Sequence, residues 1–346
     1  MSNIRLFQTE RAWHEIGAEV MDLTNSAHLK GQAQNGDLVR QLETELAQRF
    51  NRKHCITVAC GTDALQIALE ALNLPKNAPV AVNNYTFTAS AHAINRAGYS
   101  VVPVDVDSNY CIDVNQIPEC RAVVPVDLFG NMTDYQKLEQ LGIPIVVDAA
   151  QSMESFDGQW SAGHGVAACI SFSPSKPISS WGSGGAILTD DDQIDMLARR
   201  LRLHGKQGND IGAIAPGLNS MMSSMEAASV LVGLKHADAW RRRRQKIALY
   251  LISESQYETA NDVELMQHTY SKLVFQSAER GQVQLKFRTA GIDCPIHYNL
   301  LVADEWLYPT ATSLTLSKYL RDRSFTVPNQ HTLTDSEVEQ IAKVLR

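Results

Sequence analysis

No two of the six cysteines, Cys55, Cys60, Cys111, Cys120, Cys169 and Cys294, stand in a Cys-x-x-Cys spacing. The usual zinc and disulfide-framework patterns are therefore missing, and reduced, mostly buried thiols are expected. No apolar run approaches the length of about 18 residues that a membrane span needs. The opening Met1-Ser2-Asn3-Ile4-Arg5 lacks the basic-then-apolar layout of a secretory leader, so a cytoplasmic location is expected. Net positive charge is lacking too: 31 Lys and Arg against 38 Asp and Glu give −7. That balance speaks against a protein built to neutralise nucleic-acid phosphates. The run Arg241 to Arg244, followed by Lys246, lies in helical sequence and reads as a solvated helix face with salt bridges. Repeats, low-complexity tracts and Pro-rich linkers are absent as well.

What is present is ordinary globular sequence, 44% hydrophobic and 20% charged over 346 residues. This length favours a large domain with a smaller one attached. Leu38, Val39, Leu42, Leu46 and Phe50 recur at helical spacing. Strand and helix signals then alternate. Ile56 to Ala59 is followed by the turn Cys60-Gly61-Thr62-Asp63 and the helix former Ala64 to Leu72. Val80 to Val82 precedes Thr88 to Ala97; Ser100 to Val104 is a strand; Ala122 to Val126 precedes a helix near Thr133 to Leu141. Ile143 to Val147, ending at Asp148, and Ala168 to Phe172 and Gly185 to Leu188 are further strands. Apolar strands joined by helical crossovers predict an α/β domain with a mostly parallel central sheet flanked by helices. Past about Leu234 a long basic helix begins, then a mixed stretch with Tyr270 to Gln276 as a strand. Thr334 and Glu337 are spaced as a capping box for a last helix over Val338 to Leu345. The expected division is residues 1–235, with the N-terminal segment, and a smaller α+β unit of 236–346.

Three local features bear on chemistry. Gly61-Thr62-Asp63-Ala64 stands at a strand-to-helix turn, where glycine permits close backbone approach and a helix N-terminus offers N–H donors to an anion, although such turns are common. Asp148 ends a buried strand at the sheet edge where open α/β sheets bind ligands. Alone it reads first as a magnesium ligand or a helix N-cap for Ala149-Ala150-Gln151, and it also suits a protonated pyridine nitrogen. Lys176 lies in Ser171-Phe172-Ser173-Pro174-Ser175-Lys176-Pro177, between an apolar strand and Gly182-Ser183-Gly184-Gly185. A lone lysine is normally a surface residue. Small, uncharged neighbours instead allow the desolvation that lowers an amine's pKa for Schiff-base chemistry.

Taken in order, Cys60-Gly61-Thr62-Asp63-Ala64-Leu65, Tyr85-Thr86-Phe87-Thr88-Ala89, Val147-Asp148-Ala149-Ala150-Gln151, the Ser171 to Lys176 segment and Gly184-Gly185-Ala186 resemble the DegT/DnrJ family of sugar aminotransferases. Leu203-His204-Gly205, Gly217-Leu218-Asn219, Glu226-Ala227-Ala228 and Gly291-Ile292 to His297-Tyr298 extend the likeness from about residue 30 to the C-terminus. The resemblance implies fold type I and pyridoxal 5'-phosphate, with pyridoxamine 5'-phosphate as its alternate form. It implies that Lys176 forms the internal aldimine and shuttles the proton, and that Asp148 pairs with the pyridinium nitrogen. Gln151 would sit near the ring hydroxyl and Phe87 would stack on the ring. Backbone groups at Gly61, Thr62 and Asp63 and the Ser171 hydroxyl would hold the phosphate. Asn219 would reach the neighbouring subunit's cofactor, which implies a homodimer with shared active sites. The implied substrates are L-glutamate and a nucleotide-linked keto-sugar, with His297 and Tyr298 as candidate contacts.

Two positions depart from the family pattern: Ser183 where an acidic residue often precedes the Gly-Gly pair, and Asn83-Asn84 where proline commonly precedes Tyr-Thr-Phe. Two other readings share the fold. A sugar dehydratase of this type carries histidine at the lysine position, which Lys176 opposes. A regulatory protein that binds without turnover need not keep every catalytic position filled, as this chain does.

Overall fold

A computed structural model describes residues 3–206, 212–213, 215–305 and 313–346. The alternation read in the sequence becomes one twisted sheet. Its strands are β1 (His54–Val58), β2 (Pro79–Asn83), β3 (Ser100–Val104), β4 (Ala122–Val124), β5 (Val146–Asp148), β6 (Ala167–Ser171) and β7 (Gly185–Thr189). Ladders join β3-β2-β4 and β1-β7-β6-β5, and parallel bridges Val123–Ile145 and Val126–Asp148 connect the two sets. The spatial order is thus 3-2-4-5-6-7-1, with β7 antiparallel to both neighbours and the other pairings parallel.

The helices are α1 (Thr9–Leu29), α2 (Asp37–Arg49), α3 (Gly61–Ala71), α4 (Thr88–Arg96), α5 (Tyr135–Leu138), α6 (Asp192–Leu201), α7 (Ser224–Glu254), α8 (Arg280–Thr289), α9 (Thr315–Arg323) and α10 (Asp335–Leu345). Both sheet faces are covered. Leu65, Ile67 and Leu69 of α3 and Ile94 of α4 meet Ile56, Val80 and Ile187 on one face. Leu42 and Leu46 of α2 and Val230 and Leu231 of α7 meet Val123, Val147, Ile170 and Leu188 on the other. Near-continuous Val, Ile and Ala in these strands follow from that double burial.

Helix α7 opens with the Ser223/Glu226 capping box and runs unbroken through residues 235 and 236, where the sequence suggested a division. Its first half packs on the large sheet. Ile247, Ala248 and Leu251 in its second half pack on the three-stranded antiparallel sheet of β8 (Glu258–Thr259), β9 (Leu273–Gln276) and β10 (Ser324–Val327). Helix α1, not foreseen from the sequence, lies along α7 through Ile16, Val20, Ala228, Val232 and Trp240.

The solvated reading of the arginine run needs correction at Arg244. That side chain is buried, pairs with the fully buried Glu154 at 3.3 Å and reaches the carbonyls of Thr269 and Pro177. Helical periodicity turns one arginine in four toward the seam between the two sheets. Arg241 and Arg243 do pair near the surface, with Asp238 and Asp335.

Candidate active site

Strand β1 delivers Cys60 and Gly61, β2 delivers Thr86 and Phe87, and β5 delivers Asp148 to Gln151; β6 delivers Ser171 to Lys176. All leave the sheet at its carboxyl edge, where strand order and crossovers open a crevice. They enclose a cavity of about 380 Å³. Gly61, Thr62, Phe87, Asp148, Gln151, Ser171, Lys176, His297 and Tyr298 all line it. Of the residues expected from sequence, Asp63 and Asn219 do not.

The first turn of α3 forms one wall. Its leading N–H groups have no intrahelical acceptor; Asp63 N–H donates to Cys60 Sγ at 3.4 Å, while Gly61 and Thr62 line the cavity. A Cβ on Gly61 would come within 2.8 Å of Ser171 Cβ, so glycine is what lets the helix start lie against the Ser171 hydroxyl. Asp63 instead turns its carboxylate to the Ser220 hydroxyl at 2.6 Å, bracing the segment next to Asn219. Asn219 itself is exposed.

Asp148 is buried and accepts from Ser90 Oγ at 2.7 Å and from the Ala150 amide at 3.2 Å. Burial pushes its pKa up, against the pull of those donors and of Lys176. No lysine or arginine among the described residues forms an ion pair with it, so it can receive a further cationic N–H. Burial lowers the Lys176 pKa, which Asp148 partly offsets, favouring the neutral, nucleophilic amine. Gln151 is fixed at both ends: its carbonyl accepts from the Phe129 amide at 3.1 Å and its NH2 donates to Tyr298 Oη at 3.1 Å. The half-exposed Phe87 ring stands 5.6 Å from that of Tyr298. Tyr85 Oη donates to the His297 carbonyl and accepts from the Tyr298 amide, while His297 Nδ1 lies 2.9 Å from Thr326 Oγ1. Burial, with Lys272 and Lys176 nearby, pushes His297 down to about 3, leaving a neutral imidazole.

Three contributors escaped the sequence reading. Ser90, which holds Asp148, carries no motif. Phe7 comes from the N-terminal segment, pinned by Ile4 N–H to the Gly291 carbonyl and Leu6 N–H to Asp293. For Lys272 the one available signal is that it is the lone charge within the apolar, β-prone Tyr270 to Gln276 stretch.

A buried carboxylate and a desolvated lysine sharing one cavity with the open first turn of a helix fit a fold type I pyridoxal-phosphate enzyme. Residues 14–346 match the DegT/DnrJ/EryC1/StrS aminotransferase family, and the chain belongs to it. Over 299 residues it is 33% identical to the UDP-2-acetamido-2-deoxy-3-oxo-D-glucuronate aminotransferase of Pseudomonas aeruginosa, covering 80% of this chain and 82% of that protein. The pleiotropic regulatory protein of Geobacillus stearothermophilus is 29% identical over 86% of this chain and 84% of its own length. The crystal structure of S. venezuelae DesV in complex with a ketimine intermediate superposes with a TM-score of 0.95 at 25% identity, covering 100% of this chain and 98% of that one.

Proposed function

We propose that this aminotransferase moves an amino group from L-glutamate to the keto group of a nucleotide-linked sugar, in the making of an amino-deoxysugar. The observation that carries the reading is the meeting of Lys176, Asp148 and the α3 N-terminus around one cavity. When bound, pyridoxal phosphate supplies a carbonyl that condenses with amines and a ring that accepts electrons. Lys176 Nζ, lining the cavity with a pKa lowered by burial, would hold that carbonyl and would move the proton at the donor's α-carbon. Asp148 keeps the ring nitrogen protonated. Gly61 and Thr62 amides and Ser171 Oγ would hold the phosphate, and Gln151 would hold the ring hydroxyl. Phe87 covers the ring face. Asp63 acts one step back, through Ser220. His297 and Tyr298 line the side of the cavity nearest the small sheet and are proposed sugar contacts. We extend the reading to a cytoplasmic homodimer of subunits divided into residues 1–235 and a small unit of 236–346, the division falling inside α7. Six unpaired cysteines support the location, and the exposed Asn219 supports sharing of sites.

The test is a pair of half-reactions. Wild-type protein should lose the visible absorption of bound cofactor on adding L-glutamate and regain it with a keto-sugar nucleotide. Lys176→Ala should abolish both while circular dichroism stays unchanged; full transamination by that variant would refute the assignment. Mixing Lys176→Ala with Asn219→Ala subunits should restore some turnover through hybrid dimers, and no recovery despite subunit exchange would remove the shared site. The regulatory reading, which one relative's name raises, predicts cofactor binding without either half-reaction.

A further inference from the structure

Lys272 sits immediately before β9 with only 4% of its surface exposed, yet it meets no carboxylate among the described residues. Its Nζ has the Ser175 carbonyl at 3.4 Å and lies 4.7 Å from the centre of the Phe7 ring. Both partners line the active-site cavity, as Lys272 itself does, and Ser175 adjoins Lys176 in the chain. An ammonium so enclosed, with one weak acceptor and an aromatic face, lacks the counter-charge that buried cations require. The cavity's own carboxylate, Asp148, is engaged by Ser90 and Ala150 and is assigned above to the ring nitrogen.

We propose that Lys272 is the carboxylate receptor of this active site, binding a carboxylate group carried by a substrate close to the reacting carbon. The inference rests on the aminotransferase reading and adds the chemistry of what that site selects. Two substrates offer the group: the amino-acid donor, or an acceptor sugar oxidised to a uronate, the class named for the Pseudomonas relative. The protonation behaviour agrees. Burial and Lys176 bring Lys272 down to about 7, so an arriving anion tips it to the charged state without a large proton cost.

Lys272→Met keeps the stem and removes the charge, and Lys272→Gln serves as a second, polar replacement; melting curves establish that each is folded. Each holoenzyme is assayed in half-reactions as ratios of kcat/KM. The donor arm compares L-glutamate with 4-aminobutyrate, which lacks the α-carboxylate, and with L-glutamine, which lacks the γ-carboxylate. The acceptor arm compares a UDP-linked 3-keto-hexuronate with its UDP-linked 3-keto-hexose counterpart. The expected result is a fall of at least tenfold in one of these ratios, the size of losing a hydrogen bond to a charged group, and the arm in which it falls names the substrate. Ratios that stay within twofold in both arms overturn the proposal, whether overall rates drop or not. So does a loss confined to cofactor affinity. In either case working wild-type half-reactions leave the aminotransferase reading standing, whereas wild-type inertness toward all donors sinks that reading instead.

Discussion

The closeness of Gly61 to Ser171 makes a quantitative prediction about how the anion cradle is built. A methyl added at Gly61 would lie 2.8 Å from Ser171 Cβ and 3.1 Å from its Oγ. Carbon atoms prefer about 3.5–4.0 Å, so the overlap is roughly 0.7–1.2 Å. Ser171 closes β6 and is paired in register with Gly185 of β7, so it has little freedom to retreat. The first turn of α3 must therefore shift away from the cavity. Overpacking of this kind costs about 1–3 kcal/mol, and because it displaces the amides proposed to hold the phosphate, much of it should fall on cofactor binding. A cost of 1.4–2.8 kcal/mol there is about a ten- to hundredfold weaker Kd. Titrating the apo-protein with pyridoxal phosphate by absorbance and by intrinsic fluorescence reads this directly. The cause is isolated by repeating Gly61→Ala in a Ser171→Gly background, where the offending Cβ is gone. The two substitutions should couple by at least about 1 kcal/mol. Effects that simply add, or a Gly61→Ala protein with unchanged affinity, would refute the steric account.

Other predictions concern the frame. Arg244→Met leaves Glu154 with Arg49 alone, at 3.0 Å, and strips a donor from the buried Thr269 carbonyl and from the part-buried Pro177 carbonyl; urea unfolding should show a loss of about 3 kcal/mol. Glu337 accepts both Arg11 nitrogens, at 2.8 and 2.7 Å, and its pKa falls to about 2 chiefly through that hydrogen bonding. Its stabilising contribution is complete above its unfolded pKa near 4.5 and is lost as pH falls toward 2. Acid titrations of wild type and Glu337→Gln should thus converge over that interval, and parallel curves would contradict the pairing. Thr334→Ala removes the side-chain cap of α10, whose Oγ1 accepts the Glu337 amide at 3.2 Å, and should cost about 1 kcal/mol in thermal or urea unfolding.

How far the sequence could be read follows from which forces act locally. Strands buried on both faces show as apolar runs, so β1 to β7 were legible to within a few residues, and Ser100–Val104 matches the expected span. The capping box on α10 was visible because both of its partners lie within one turn. Small and charged residues set at strand ends marked Gly61, Asp148 and Lys176 as candidates, and they line one cavity because a parallel sheet gathers its carboxyl ends whatever the intervening loops do. What stayed hidden depends on contacts distant in sequence. Nothing near Arg244 reveals that Glu154 waits 90 positions upstream, and an arginine run with no visible partner reads as solvated. Asp63 carries the motif, yet its carboxylate is claimed by Ser220, 157 positions away. Lys272 is the sharpest case. Its own stretch marks it only as an oddity, and its meaning comes from Ser175 and Phe7, 97 and 265 residues earlier, which close around it once β9 docks beside the large sheet. A charge that local sequence cannot justify, enclosed by elements from three parts of the chain, is retained against its desolvation cost. A ligand carboxylate offsets that cost, and this physical ground makes Lys272 the position most informative about what the enzyme selects.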